Sequence, residues 1–528
     1  MNQARTRNVE IKARNQEGAN TFVISPAKEL YSAASAFKYK NGSYLTNDDH
    51  LALIENSISQ NIKNGDLKFV FALTWFLGSV NGLRLSPTVM LSYLIHKKLI
   101  KVESYLDDVK FIVDDVFTRP DFIANSLAYY KKITNAKTIG SIDGTFKTIL
   151  RNKLSTYSPI TLKKRKMKSR DIKLADLIKV LKPYPKTQEL SKLYKDIIEN
   201  NNAASLSVVV NDKNEIVKAD SAVAVLTNDS ITQRDKVKFL VQNIDKIAIN
   251  ELIRNLTVFP ESAYDNIEKR LISALSSPDA FRFTNPFDLL LVNSKQLTMG
   301  GTIKLQNMLD RVLSQTVLTS FNFEVNNPVF LIDISGSMGF QCGPNSELPM
   351  TYAIKYMAFL LAIILKTDSN YKIYNFDIGL YDITDSIKTA VRKGKLQSTP
   401  NSIATYLCAY YMNKLNNGTS LRDCTYHAIQ SNPSCDAFFV FSDEVSWADA
   451  RTVDNYTSVI PSTLHNKSFV FNVMPTKNTV YSKTDKVTRI SGFDGKVLYM
   501  MNILLDFDSF KESLVTMYNH KKMEYVNK

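Results

Sequence analysis

The sequence predicts an array of antiparallel helices followed by a doubly wound α/β sheet, and three observations carry that prediction. From about Leu30 to Phe323, apolar residues recur at three- and four-residue spacing; after Asn326-Asn327-Pro328 they fall into short continuous runs; and the net charge belongs almost wholly to the first of these parts. A chain of 528 residues exceeds one hydrophobic core, so two or three domains are expected.

The helical pattern comes in stretches of ten to twenty residues broken by Gly, Pro or Asn. Examples are Leu51 to Ile62, Leu67 to Gly78, Pro87 to Leu99, Asp121 to Ile133, Leu174 to Leu181, Leu190 to Ile198, Gln233 to Asn243, Ala263 to Leu275 and Gly301 to Ser314. No strict repeat length is visible, so irregular helix pairs are expected rather than a regular array. One interruption, Ser205 to Val210 followed by Asp212-Lys213-Asn214, reads as an exposed loop or hairpin edge.

The second pattern opens with Val329-Phe330-Leu331-Ile332-Asp333, an apolar run ending in a carboxylate. A buried parallel strand whose C-terminal end faces a site has this form. Expected after it are a helix at Thr351 to Lys366, a strand at Lys372 to Phe376, and helices near Ser402 to Leu415 and Leu421 to Ile429. Strands Ala437 to Phe441 and Phe469 to Val473 and a last helix, Ser509 to His520, complete the alternation that marks a doubly wound sheet. The expected domains are therefore an N-terminal segment over 1–24, a helical domain over 25–325 and an α/β domain over 326–528.

Residues 1–324 hold 46 Lys+Arg against 33 Asp+Glu, and residues 325–528 hold 20 against 18, so the parts carry +13 and +2 of the total +15. Residues 151–200 alone carry 14 basic and 5 acidic side chains. A polyanion such as nucleic acid is the natural partner for that field, with solubility as the alternative reading. Cys342, Cys408, Cys424 and Cys435 include no CxxC pair and no His at zinc-ligand spacing, as expected of reduced thiols in a cytoplasmic protein. The N-terminus lacks the apolar core of a signal peptide, and the most apolar window, Tyr356 to Leu365, is too short to span a bilayer. No membrane partner is expected.

Asp333-Ile334-Ser335-Gly336-Ser337-Met338 follows the first strand of the second part, and its alternate residues supply one carboxylate and two hydroxyls. Gly418-Thr419 offers a further hydroxyl ahead of a helix, and Ser442-Asp443 ends a later strand with a second carboxylate. Oxygen donors of this kind suit a hard divalent cation such as Mg²⁺. On the bland reading, Ser335 and Ser337 cap a helix and Asp443 terminates a strand. Neither His427 nor His465 sits in a motif that would activate a serine, so no catalytic residue is expected and the protein is read as a non-enzyme.

In that order and strand context, Asp333, Ser335, Ser337, Thr419 and Asp443 resemble the metal-ion-dependent adhesion site (MIDAS) of von Willebrand factor A (vWA) domains, whose sheet is Rossmann-like. Further strings resemble the Ro autoantigen family, the TROVE-domain RNA-binding proteins. Phe441-Ser442-Asp443-Glu444-Val445-Ser446-Trp447 is similar to that family's TDNxTW-like strand end, Gly492-Phe493-Asp494 to its GFD, and Asn375-Phe376-Asp377 to a segment of its second strand. Gly42-Ser43-Tyr44, Leu252-Ile253-Arg254-Asn255-Leu256 and Asn285-Pro286-Phe287-Asp288-Leu289-Leu290 resemble its G-x-Y, LRNL and HPF-x-LL strings, so the likeness runs from about residue 30 to the end.

The resemblance implies a monomeric ring of HEAT-like helical pairs joined to a vWA domain. It also implies RNA partners: single-stranded 3′ ends of structured or misfolded RNA in the central hole, and small noncoding Y-like RNA on the basic outer surface. An exoribonuclease or other RNA-processing protein is a further expected partner. Independently, a positive track suits a phosphate backbone and predicts binding that weakens steeply with salt. The candidate contact residues are Lys163, Lys164, Arg165, Lys166, Lys168 and Arg170, extended by Lys173, in the place of the family's basic loop before a helix ending in Lys-Pro, here Lys182-Pro183. The loop's Gly-Trp-Ser-like core is absent, and Val180 or Leu181 stands where members often have an RNA-contacting His. Other readings of the cluster are a solvated loop leading into a helix, or a localisation signal.

Arg254 and Asn255 line the expected hole or, alternatively, cap and bridge neighbouring helices. Tyr129-Tyr130 beside Lys131-Lys132 either stack bases or divide between core and surface. Two other functions compete with RNA binding. A vWA-mediated scaffold would grip an acidic protein ligand through the cation, and a metal-dependent nuclease would need a more carboxylate-rich site than two carboxylates and three hydroxyls.

Overall fold

The computed structural model describes residues 13–14, 20–23, 25–36, 47–99, 102–163, 172–200, 208–211, 216–219, 222–226, 228–276, 303–316, 325–339, 370–392, 418–444, 459–465, 467–472, 478–481, 487–491 and 507–527. The chain divides into two compact units, one of Met1–Ser57 and Glu268–Phe510, the other of Ile58–Ile267 and Lys511–Lys528. The first unit takes in residues on both sides of position 325, and the second includes the chain's last residues. By sequence, the second unit holds 37 Lys+Arg against 24 Asp+Glu and the first 29 against 27, leaving +13 on the second and +2 on the first.

The second unit is built of amphipathic helices. In Leu174–Leu181 the apolar positions Leu174, Leu177, Ile178 and Leu181 fall at i, i+3, i+4 and i+7, and all four are buried. Leu67–Trp75 continues into a π-helical turn at Phe76–Val80, where Gly78 lets the backbone approach Val116 on the helix Glu103–Val116. Across the same contact Trp75 Nε1 donates to Asp115 Oδ2 at 2.8 Å, and Ser79 Oγ donates to the same oxygen. Ser86–His96 and Pro120–Thr134 approach closely enough for the buried Ser92 and Ser126 hydroxyls to meet at 2.9 Å. The C-terminal helix Phe507–Val526 runs longer than the sequence predicts. Its Tyr518 is buried among Trp75 and Phe111 and donates to Asp108 Oδ1 at 2.7 Å, while Lys522 donates to Asp108 Oδ2 at 2.6 Å.

Among the described residues the strands are β1 (Ala13–Arg14), β2 (Asn20–Val23), β3 (Val208–Val210), β4 (Ile216–Ala219), β5 (Pro328–Asp333), β6 (Lys372–Phe376), β7 (Leu380–Asp382), β8 (Ala437–Ser442), β9 (Ser468–Asn472), β10 (Asn478–Thr479) and β11 (Thr488–Ser491). β3 and β4 pair antiparallel, so of the two readings of the segment near Val210, an exposed loop or a hairpin edge, the second holds. In the first unit β2 pairs with both β1 and β10, so the N-terminal segment contributes to a small three-stranded sheet.

The main sheet of the first unit has the order β11-β9-β8-β5-β6-β7, with only β7 antiparallel to its neighbour. β5, β8 and β9 are buried along their whole length, which is why their sequences read as continuous apolar runs instead of alternating ones. One face packs Val329, Leu331, Phe438, Val440 and Val470 against the helix Leu421–Gln430. On the other, the Phe330, Phe439 and Phe469 rings stack in a row at 5.0 and 5.5 Å. The expected helices at 351–366 and 402–415 lie outside the described residues, as do the strings at 42–44, 285–290, 445–447 and 492–494.

Candidate metal and nucleic-acid sites

Parallel strands in register bring their last residues to one edge of the sheet. Asp333 pairs with Phe376 across β5 and β6, and Ile332 pairs with Phe441 across β5 and β8. Ser442 pairs with Asn472 across β8 and β9, so Asp333, Ser442 and Asn472 stand side by side with Asp443 one step beyond. Cross-links tie the loops of this edge together. Ile334 N–H donates to the Phe376 carbonyl at 2.9 Å, and Ser420 N–H donates to the Asp377 carbonyl at 2.7 Å, drawing the loop that bears Thr419 to the end of β6.

Asp333, Ser335, Thr419 and Asp443 are all buried at this edge. Asp333 Oδ1 accepts from Ser335 N–H at 2.8 Å, and its Oδ2 accepts from Ser442 Oγ at 2.6 Å. Burial, reinforced by the negative charge of Asp443, pushes the Asp333 carboxyl up to about 7. Two fully buried carboxylates that repel one another, beside two buried hydroxyl residues, make a donor set that a divalent cation would relieve. The chemistry of these residues thus fits such an ion. Ser337 lies in the 3₁₀ turn Gly336–Gly339 that follows. Among the described residues no group of three or more His, Cys, Asp or Glu gathers as a metal centre, so any cation here would rely on hydroxyls as well as the two carboxylates.

Three further side chains, Ser442, Glu444 and Asn472, support this edge and were not among the residues that the sequence pattern singles out. Ser442 hydrogen-bonds Asp333 and also accepts from Glu444 N–H at 2.9 Å, while Asn472 Nδ2 donates to Glu444 Oε2 at 2.5 Å. Ser442 directly follows the predicted strand at 437–441, Glu444 stands two residues further on, and Asn472 lies inside the predicted strand at 469–473. Neither Cys424 nor Cys435 is in a disulfide; Cys424 is buried, and burial pushes the Cys435 thiol up to about 11, away from the thiolate that would react.

In the helical unit, Lys163 ends the short helix Pro159–Lys163, half-buried. Lys164, Arg165, Lys166, Lys168 and Arg170 lie outside the described residues. Lys173 is exposed at the N-terminus of Leu174–Leu181, its backbone N–H donating to Asp176 Oδ2 at 2.9 Å. Arg254 is exposed at the end of Ile249–Arg254. Asn255 Nδ2 donates to the Glu251 carbonyl of its own helix at 2.7 Å, which is the capping alternative. Tyr129 is buried and Tyr130 packs against Phe146 at 6.3 Å, so this pair serves the core more than a ligand.

No family model matches the chain, and no curated protein matches it in sequence. Among solved structures it is similar to the Ro (RSR) protein of Deinococcus radiodurans, with a TM-score of 0.53, over 90% of this chain and 99% of that one. The chain shares that protein's fold. At 13% identity the likeness speaks for architecture and leaves site chemistry to the residues themselves. Among the described residues no helix is long and apolar enough to cross a membrane.

Proposed function

We propose that this chain is a non-catalytic RNA-binding scaffold of the Ro type. The carrying observation is that its likeness to a Ro protein extends over nearly the whole of both chains, on a molecule that carries +13 of its net charge of +15 in its helical unit. On this reading the helical pairs close into a TROVE ring that holds single-stranded 3′ ends or a small Y-like RNA, in the cytoplasm, as part of RNA quality control or processing. Lys163, Lys164, Arg165, Lys166, Lys168, Arg170 and Lys173 would neutralise phosphates on the outer surface, and Arg254 and Asn255 would border the hole.

The main sheet would be that of a vWA domain, with Asp333, Ser335, Ser337, Thr419 and Asp443 holding Mg²⁺ in a MIDAS arrangement. The cation would offset the repulsion of the two carboxylates and leave a coordination position for an acidic group of a protein partner, such as an exoribonuclease. RNA copurification tests the RNA reading. Protein from native lysate should carry excess 260 nm absorbance that RNase removes, and sequencing should return structured noncoding RNA; chelator-sensitive protein complexes without RNA would favour the scaffold alternative.

A further inference from the structure

Among the described residues, the most exposed aromatic side chain of the helical unit stands on its most basic segment. Tyr184 is 67% exposed, although it follows the buried Pro183 and lies within 151–200, where 14 basic side chains face 5 acidic ones. Leaving a phenol ring in water forfeits burial that its neighbours obtain, so what fixes it there matters.

The backbone around it is pinned at several points. Lys182 ends the helix Leu174–Leu181 in the left-handed region at φ 50°, a conformation that costs a β-carbon residue about 1 kcal/mol, and its N–H closes onto the Ile178 carbonyl at 2.9 Å. Arg151 Nε donates to the Leu181 carbonyl at 2.6 Å, and Tyr184 N–H donates to Ser155 Oγ at 2.9 Å. Pro183 and Pro185 fix φ on either side of the tyrosine, and Thr187 Oγ1 accepts from Leu190 N–H at 3.1 Å to start the next helix. The ring is therefore held outward by a preorganised turn. The Arg151 guanidinium lies 6.0 Å from the ring centroid, and Lys179, Lys182 and Lys186 are exposed around it in sequence.

A rigid aromatic face beside cations is what single-stranded nucleic acid uses when a base stacks and its phosphates are neutralised. We propose that Tyr184 is a base-stacking platform for single-stranded RNA, with Arg151, Lys182 and Lys186 neutralising the adjoining phosphates. This rests on the RNA-binding reading and adds to it a position and a mode of contact. Because stacking needs only a π-face, it holds a strand regardless of sequence, and it requires unpaired bases.

The test is fluorescence anisotropy of the full-length chain with a labelled short oligoadenylate over a salt series. Tyr184→Ala should weaken binding about tenfold while leaving the slope of log Kd against log salt unchanged, since no charge is removed. Tyr184→Phe and Tyr184→Trp should stay within about twofold of the original chain, and the tryptophan variant should gain a fluorescence component quenched by the oligonucleotide. Lys186→Ala should instead flatten the salt slope by about 0.7. Binding by Tyr184→Ala equal to that of the original chain overturns the platform alone, as does a loss in Tyr184→Phe as large as in Tyr184→Ala, which would mean a hydroxyl contact. No binding by the original chain at any salt overturns both the platform and the RNA reading beneath it.

Discussion

Replacing Asp333 by Asn tests the sheet-edge site through opposite effects with and without a cation. The Asp333 carboxyl stands at about 7 in the fold against 3.8 as an unhindered group, because it is buried and faces Asp443. A carboxyl raised in this way is favourably protonated in the folded state. Its contribution is complete below about pH 4 and is lost as pH climbs through about 7, a loss on the order of 4 kcal/mol by linkage. Asn keeps one carbonyl-type acceptor and gives up the other, so of the bonds from Ser335 N–H and Ser442 Oγ one is lost, costing about 1–2 kcal/mol. In chelator at about pH 8, Asp333→Asn should therefore be more stable than the original chain by roughly 2–3 kcal/mol, and slightly less stable near pH 4. Each kcal/mol corresponds to about 2–4 °C in Tm for a unit of this class, so thermal unfolding by circular dichroism resolves the difference. Added Mg²⁺ should raise the Tm of the original chain, more at pH 8 than at about pH 5.5 where protons compete, and leave the variant unmoved. A variant less stable than the original chain in chelator at every pH, or one that responds equally to Mg²⁺, would refute the reasoning.

Other perturbations probe the rest of the account. Changing Lys163, Lys164, Arg165, Lys166, Lys168 and Arg170 together to Ala should weaken RNA retention and lower the salt slope by about 0.7 for each single-strand phosphate no longer neutralised; an unchanged titration removes this cluster from the interface. At Gly78 a β-carbon would come within 2.2 Å of Val116 Cγ1, so Gly78→Ala should destabilise the helical unit by about 1–3 kcal/mol, measured by urea unfolding. Tyr518→Phe removes the hydroxyl that bonds Asp108 at 2.7 Å and should cost about 1–3 kcal/mol; hydrogen exchange should then accelerate in the C-terminal helix, and unchanged protection there would contradict the role given to this bond.

Much of the sheet was legible because buried parallel strands leave continuous apolar runs. Lys372–Phe376 is the strand the sequence predicts, and Pro328–Asp333, Ala437–Ser442 and Ser468–Asn472 differ from expectation by a residue at most at each end. The edge strands β7 and β11 went unread: Leu380–Asp382 and Thr488–Ser491 are short, and two of the three β7 residues are exposed, so neither carries an apolar run. Nor does periodicity reveal which distant segments pack together. Residues 511–528 belong to the unit formed by 58–267, and Tyr518 meets Asp108 over 410 positions, a pairing no local pattern records. The alternation of donors after β5 picks out Asp333, Ser335 and Ser337, and two later segments add Thr419 and Asp443; Asp333, Ser335, Thr419 and Asp443 are buried, whereas the bonds from Ser442 to Asp333 and from Asn472 to Glu444 run between strands and no motif records them. Tyr184 escaped notice because nothing in Lys182-Pro183-Tyr184-Pro185 distinguishes an outward ring from an inward one; the direction comes from the left-handed turn at Lys182 and the bond to Ser155.

The most direct measurement is a titration of the purified chain with a structured RNA bearing a single-stranded 3′ tail, alongside the same RNA with its tail removed, over a series of salt concentrations. A ring that holds single-stranded 3′ ends should show saturable binding that depends on the tail and declines linearly in log K with log salt. Absence of binding at the lowest salt, or equal affinity with and without the tail, would contradict it.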